Sequence, residues 1–181
     1  MNKPYHHGDL RAALVAEALT LVEESNAENI SLREVARRVG VSPQAVYRHF
    51  PDKAALMAEL AQTGLARLAV AQQAASERAG GGSAGFAATG AEYVRFALAN
   101  PGLFRLIFAH GAAHAGEMCA DNPMSMLREA SAALAPPGRD PAAFALQAWS
   151  IAHGLAMLML DGQVPVDEAL IDRVVDVRAL G

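Results

Sequence analysis

Between Ser42 and Lys53 the chain places an amide, a phenol, a guanidinium and an imidazole almost side by side, as Gln44, Tyr47, Arg48 and His49. At about 100° per helical residue, Gln44 and Arg48 share one edge, Tyr47 and His49 flank it, and Val46 and Phe50 point the opposite way. A glutamine can pair through two hydrogen bonds with adenine, and an arginine with guanine, in the major groove. Phenol and imidazole suit phosphate oxygens, and Lys53 would add a cation there. Ser42 and the free N–H groups of the helix start suit another phosphate. Any one of these residues alone would suit an ordinary solvated helix face; together they are expected to read duplex DNA.

Such a face needs a scaffold, and the preceding residues supply one. Ser31 and Glu34 form an S-x-x-E pattern, predicting a capping box in which hydroxyl and carboxylate each bind a backbone N–H. Ala36 is small where two helices would cross, and Gly40 suits a left-handed corner. Val46 then returns to the core with Val35, Val39 and Val41. Ser42 caps the next helix, with Pro43 at its first position, where a missing N–H is harmless. This is the grammar of a helix-turn-helix. Ser31 and Pro43 are counted with the DNA-facing set, beside Ser42, Gln44, Tyr47, Arg48, His49 and Lys53.

The same residues resemble a known family. Ser31–Ala36, Gly40-Val41-Ser42, Tyr47-Arg48-His49-Phe50 and Lys53 look like the DNA-binding domain of tetracycline-repressor-like (TetR) transcriptional regulators, over about residues 6–60. The resemblance implies a homodimer reading a pseudo-palindromic operator, with Ser42, Gln44, Tyr47, His49 and Lys53 as DNA contacts. Tyr5–Arg11 resembles the opening of one branch of that family, and its two histidines are expected at phosphate or in the minor groove, or in a disordered leader. Trp149–Gly154 resembles the Trp-x-x-x-His-Gly signature of a C-terminal domain found in part of the family. There the last two helices of each subunit form a four-helix seam.

The rest of the chain reads as helix. Alanine and leucine are abundant, and no strand-like alternation persists. Asp9 predicts the start of a first helix ending near Ser25, and Pro51-Asp52 starts a fourth that runs to about Ala79. Gly80-Gly81-Gly82-Ser83 is expected to be a flexible break. Further helices are expected over 84–99, 103–110 (opened by Asn100-Pro101), 123–134, 141–162 and from Pro165 onward. The fold class is therefore all-α, with about nine helices. Residues 1–53 form a three-helix DNA-binding domain, and 54–181 a helical ligand-binding and dimerisation domain.

Composition sets the limits. Of 181 residues, 52% are hydrophobic, enough for a substantial core. The formal charge is −4. Residues 1–53 carry seven Lys/Arg and seven Asp/Glu, so the acidity belongs to the remainder. A neutral head argues against an indiscriminate polyanion binder but allows a local basic face. No apolar run reaches the roughly 18 residues of a membrane span, because Gln147, Ser150 and His153 interrupt the most apolar segment. The polar start does not read as a signal peptide, and the single Cys119 excludes an internal disulfide, so a cytoplasmic setting is expected.

In the second part, Phe86, Tyr93, Phe96, Phe104, Phe108, Met126, Trp149 and His153 are candidates to line a cavity for a small, largely apolar effector. Met118, Met124, Met157 and Met159 extend the set. Ala148, Ala152, Ala156 and Leu160 form a small-residue ridge at i, i+4 spacing; with Leu155, Met159, Leu170, Val174 and Val177 it predicts a dimer face. No cofactor or metal is expected. The competing reading is a helical-bundle binder or enzyme using His153 or the His110/His114 pair, with Glu117 and Cys119 near the latter. No nucleophile and base stand at fixed spacing to support it.

Overall fold

The computed structural model describes residues 7–25, 29–109 and 123–176. Among these residues there are nine helices and no strand: α1 (His7–Ser25), α2 (Leu32–Val39), α3 (Pro43–Tyr47), α4 (Lys53–Arg78), α5 (Gly82–Ala99), α6 (Pro101–Ala109), α7 (Pro123–Leu134), α8 (Pro141–Leu160) and α9 (Glu168–Val175). The predicted all-α class and the helix count hold. The first helix begins at His7, two residues before the expected cap Asp9, and the last begins after Asp167 rather than at Pro165. Asp167 accepts from the N–H groups of Ala169 and Leu170, satisfying two donors that a helix start leaves unpaired.

The described residues fall into two compact units. One contains α1, α2, α3, α4 up to Gly64, and α6. Its core holds Leu14, Val22, Val35, Val46, Phe50, Leu56, Leu60, Phe104 and Ile107. Helix α6, far along the chain, is thus built into the same unit as the N-terminal helices. Two glycines allow this. A side-chain carbon on Gly64 would lie 2.9 Å from both Leu103 Cδ1 and Ile107 Cδ1, and one on Gly102 would lie within 2.4 Å of the Val22 carbonyl oxygen.

The start of α6 overturns a local reading. Asn100 was expected to open this helix, but its N–H and side-chain amide both donate to the Phe96 carbonyl, closing α5 instead. Glu23 takes its place: its carboxylate accepts from the N–H groups of Gly102 at 3.1 Å and Leu103 at 2.9 Å. The cap comes from α1, far away in sequence.

The second unit contains α4 from Leu65, with α5, α7, α8 and α9. Helix α5 packs along α8, α7 leans on both, and α9 closes against α5 and α8. The glycine run is a tight corner rather than a loose break. Gly80 N–H donates to Glu77 O and Gly81 N–H to Ser76 O, while Gly82 and Ser83 already belong to α5. Gly80, Gly81 and Gly82 all have positive φ, which other residues adopt at a cost. Arg95 on α5 holds α9 through Glu168 and Asp172, both at 2.8 Å.

Candidate functional site

The helix-turn-helix forms as its capping residues direct. Ser31 sits in extended conformation and its hydroxyl accepts from Glu34 N–H. At the other end Gly40 takes φ 77°, and Val41 N–H returns to the Ala36 carbonyl, turning the chain sharply toward α3. Ser42 Oγ accepts from Ala45 N–H, and Pro43 opens the helix. Helix α3 is only five residues long, yet Phe50 N–H still reaches Val46 O at 2.9 Å, so the helical course continues through Arg48 and His49.

That course sorts the side chains. Ala45, Val46 and Phe50 are buried, while Ser42, Pro43, Gln44, Tyr47 and Arg48 are exposed and His49 is half-buried. Tyr47 is 47% exposed, on the same outward side as Gln44 and Arg48. Ser31 is exposed, and Lys53, half-buried, begins α4.

The second half of the expected capping box is replaced by ion pairs. Glu34 does not turn back to Ser31; its carboxylate is gripped by Arg37 at 2.6 and 2.8 Å and by Arg38 at 3.3 Å. Arg38 also reaches Glu17 and Glu24 on α1, tying α2 to α1. Arg11 is paired with Glu59. Three of the head's arginines are therefore neutralised locally. Arg33 and Arg48 are exposed and make no ion pair with any described residue. Arg33 was not singled out from sequence, because only the folded ion-pair map separates it from Arg37 and Arg38.

These pairs carry a pH dependence. Hydrogen bonding from Arg37, opposed by desolvation and reinforced by Arg38, lowers the Glu34 carboxyl from 4.5 to about 2. Glu24 and Glu59 are lowered too, by hydrogen bonds from Arg38 and Arg11. A carboxyl depressed in the folded state stabilises it above the unfolded value and loses that contribution as pH falls through the folded one. The thermal midpoint of the N-terminal unit is therefore expected to drop between about pH 4.5 and about 2. Glu34→Gln should flatten this part of the profile, as followed by circular dichroism; an unchanged slope would refute the assignment.

In the second unit, Trp149 Nε1–H donates to the Tyr93 hydroxyl at 3.3 Å, and that hydroxyl lies 2.9 Å from His153 Nδ1. The three residues join α5 to α8. Burial pushes the Tyr93 phenol well above its ordinary value and lowers His153, which favours neutral forms of both. In the same unit Phe86 stacks on Phe144, ring centroids 5.5 Å apart, with Leu127, Leu134 and Ile151 packed against the pair. Phe86, Tyr93, Phe96, Met126, Trp149 and His153 thus share one unit. Phe104 and Phe108, 5.0 Å apart on α6, belong to the other.

Of the expected small-residue ridge, Ala152 and Ala156 are buried within their own unit, as are Leu155 and Met159, whereas Ala148 and Leu160 are half-buried; of the other expected dimer-face residues, Leu170 is half-buried and Val174 exposed. The outer side of α8 instead shows Leu146, Ser150, Gly154, Met157 and Leu158, with Leu146 58% and Leu158 46% exposed. A side-chain carbon added to Gly154 would meet nothing within 4 Å. Helix α8 is long and apolar enough, by length and composition, to cross a membrane, but its inner side is engaged by α5, α7 and α9. His110, His114, Glu117, Met118, Cys119 and Val177 lie outside the described residues, as do Tyr5 and His6; among the described residues no group of three metal-ligating side chains forms.

Comparison with known proteins agrees with this geometry. Residues 14–60 match the family model for bacterial regulatory proteins of the tetR family, and residues 86–178 match the tetracyclin repressor-like C-terminal domain. A protein of unknown function from Rhodococcus sp. RHA1 is 35% identical, with 98% of this chain and 95% of that one aligned at a TM-score of 0.78. NalD, the secondary repressor of the MexAB-OprM multidrug efflux pump in Pseudomonas aeruginosa, shares the fold at 18% identity and a TM-score of 0.61, covering 94% of this chain and 92% of its own. An HTH-type transcriptional regulator of Haemophilus influenzae is 41% identical over 75 residues, 40% of this chain and 37% of that protein's length. The capped helix-turn-helix lies within one matched span and the Trp149–His153 helix within the other, which alone covers just over half the chain, so the chain belongs to the TetR family of transcriptional regulators.

Proposed function

We propose that the protein is a cytoplasmic, homodimeric repressor that leaves its operator when a small, largely apolar ligand binds the C-terminal part. In this reading residues 1–53 read DNA, and 54–181 bind ligand and dimerise. The observation that carries it is the α3 face: Gln44, Tyr47 and Arg48 are exposed while Val46 and Phe50 beneath them are buried. TetR-family regulators bind operator DNA and act as dimers; they are normally not enzymes, and no step here requires catalysis.

Gln44 and Arg48 read base edges, and Ser31, Ser42, Pro43, Tyr47, His49 and Lys53 seat the helix on the backbone. Arg33 joins them as an unneutralised cation. Two heads on one dimer would enter major grooves about 34 Å apart on a pseudo-palindromic site. Ligand binding that changes this separation disfavours DNA, and DNA must weaken ligand binding by the same factor. Phe86, Phe96, Met126 and the Tyr93–Trp149–His153 set offer apolar walls with a polar end to such a ligand; Phe104 and Phe108 belong to the other unit.

Footprinting on the promoter region beside the protein's own gene tests the reading. Gln44→Ala is expected to relax preference at one base pair per half-site, costing about 1–3 kcal/mol there. Lys53→Ala is expected to weaken all sequences alike and to flatten the salt dependence by about one unit per subunit. Absence of any protected site, with apolar metabolites both present and removed, would reject the repressor reading.

A further inference from the structure

The opening motif Tyr5–Arg11 has no part in this account beyond its histidines, yet its last residue is firmly placed. Arg11, on α1, forms two parallel bonds to Glu59 on α4, Nη1 to Oε1 at 2.5 Å and Nη2 to Oε2 at 3.0 Å. Its guanidinium carbon lies 5.0 Å above the centre of the Phe50 ring. Phe50 is 1% exposed and directly follows Tyr47-Arg48-His49.

Helix α3 is about one and a half turns long, so its orientation depends on what holds Val46 and Phe50. A two-pronged carboxylate bond fixes the plane of a guanidinium as well as its position. The guanidinium carbon so held lies over the Phe50 ring, where the cation is attracted to the ring's negative face. The Arg11 side chain is 47% exposed. Water screens a pair that open, so its contribution to overall stability is small, and its effect falls on geometry.

We propose that Arg11, held by Glu59, is a positioning residue for DNA reading: its guanidinium pins Phe50 and thereby sets the angle at which Gln44 and Arg48 meet the base edges. This rests on the reading of α3 as the DNA-facing helix. Arg11 does not touch DNA, because its charge is already matched by Glu59. Lysine cannot replace it, having neither a plane nor a fork.

The test compares wild type, Arg11→Lys, Glu59→Gln and the double variant on the footprinted promoter fragment and on unrelated DNA of equal length, over a range of salt. Each single change is expected to lower the ratio of specific to non-specific affinity about tenfold, through loss of the same clamp. Non-specific affinity and the salt slope should stay at wild-type values, and the double variant should be no worse than either single one. A salt slope smaller by about one per subunit in Arg11→Lys would make Arg11 a phosphate contact and overturn the proposal. So would an unchanged specificity ratio, additive losses, or a parallel fall of both affinities with the melting temperature. If wild type itself fails to select the fragment, the DNA-reading proposal fails, and the fault is not in the clamp.

Discussion

Leu158→Asp is expected to turn the dimer into a monomer in sedimentation and to lower operator affinity by about a hundredfold or more, because a half-site bound through one head loses the second head's tethered contact. Leu158 is 46% exposed on the outer side of α8, in line with Leu146, Ser150, Gly154 and Met157. In a symmetric dimer the same patch meets itself, so one substitution places two carboxylates in or near one dry seam. Each would lose hydration, and they would repel one another. The fold of the single chain should survive, since the position already faces water there; helix content and binding to non-specific DNA at high protein concentration serve as controls. Gly154→Ala gives a finer probe of the same seam. Space around that position is open within one chain, so alanine should stabilise the monomeric helix by up to about 1 kcal/mol while weakening a closely approaching partner helix. A Leu158→Asp protein that stays dimeric with full operator affinity would move the seam off this face of α8.

Gly102→Ala is expected to destabilise the N-terminal unit by about 1–3 kcal/mol, read as a lower urea midpoint at unchanged slope. In an exposed helix the same substitution would stabilise by up to about 1 kcal/mol. The sign reverses here because the new carbon would stand 2.4 Å from the Val22 carbonyl oxygen and 3.0 Å from its carbonyl carbon. Backbone cannot swing aside as a side-chain tip can, so α6 must lift from α1. Lifting it stretches the bonds from Gly102 and Leu103 N–H to Glu23, leaving helix-start donors without their acceptor. Glu23→Gln keeps an acceptor oxygen but removes the charge, and should lose a smaller part of the same stability, about 1 kcal/mol. Equal stability of Gly102→Ala and wild type would mean that α6 is not held where described.

Local rules carried far in this chain. The Ser31 and Ser42 caps, Pro43 at a helix start, the Gly40 corner and the Val46/Phe50 face all act within about one helical turn, and their spacing alone dictates the conformation the backbone adopts. So the all-α class, the helix-turn-helix and the outward set Gln44, Tyr47 and Arg48 were determined by sequence. Contacts made across the chain were not. Arg38 on α2 reached Glu17 and Glu24 on α1, partners that the spacing within α2 does not specify. Asn100 closed α5, and the start of α6 fell to Glu23 on another helix. The alanine ridge Ala152/Ala156 and the outer stripe Leu146/Leu158 have equally good helical periodicity. Only the packing of α5, α7 and α9 around α8 decided which became core and which faced outward, since periodicity defines faces but does not say what will cover them.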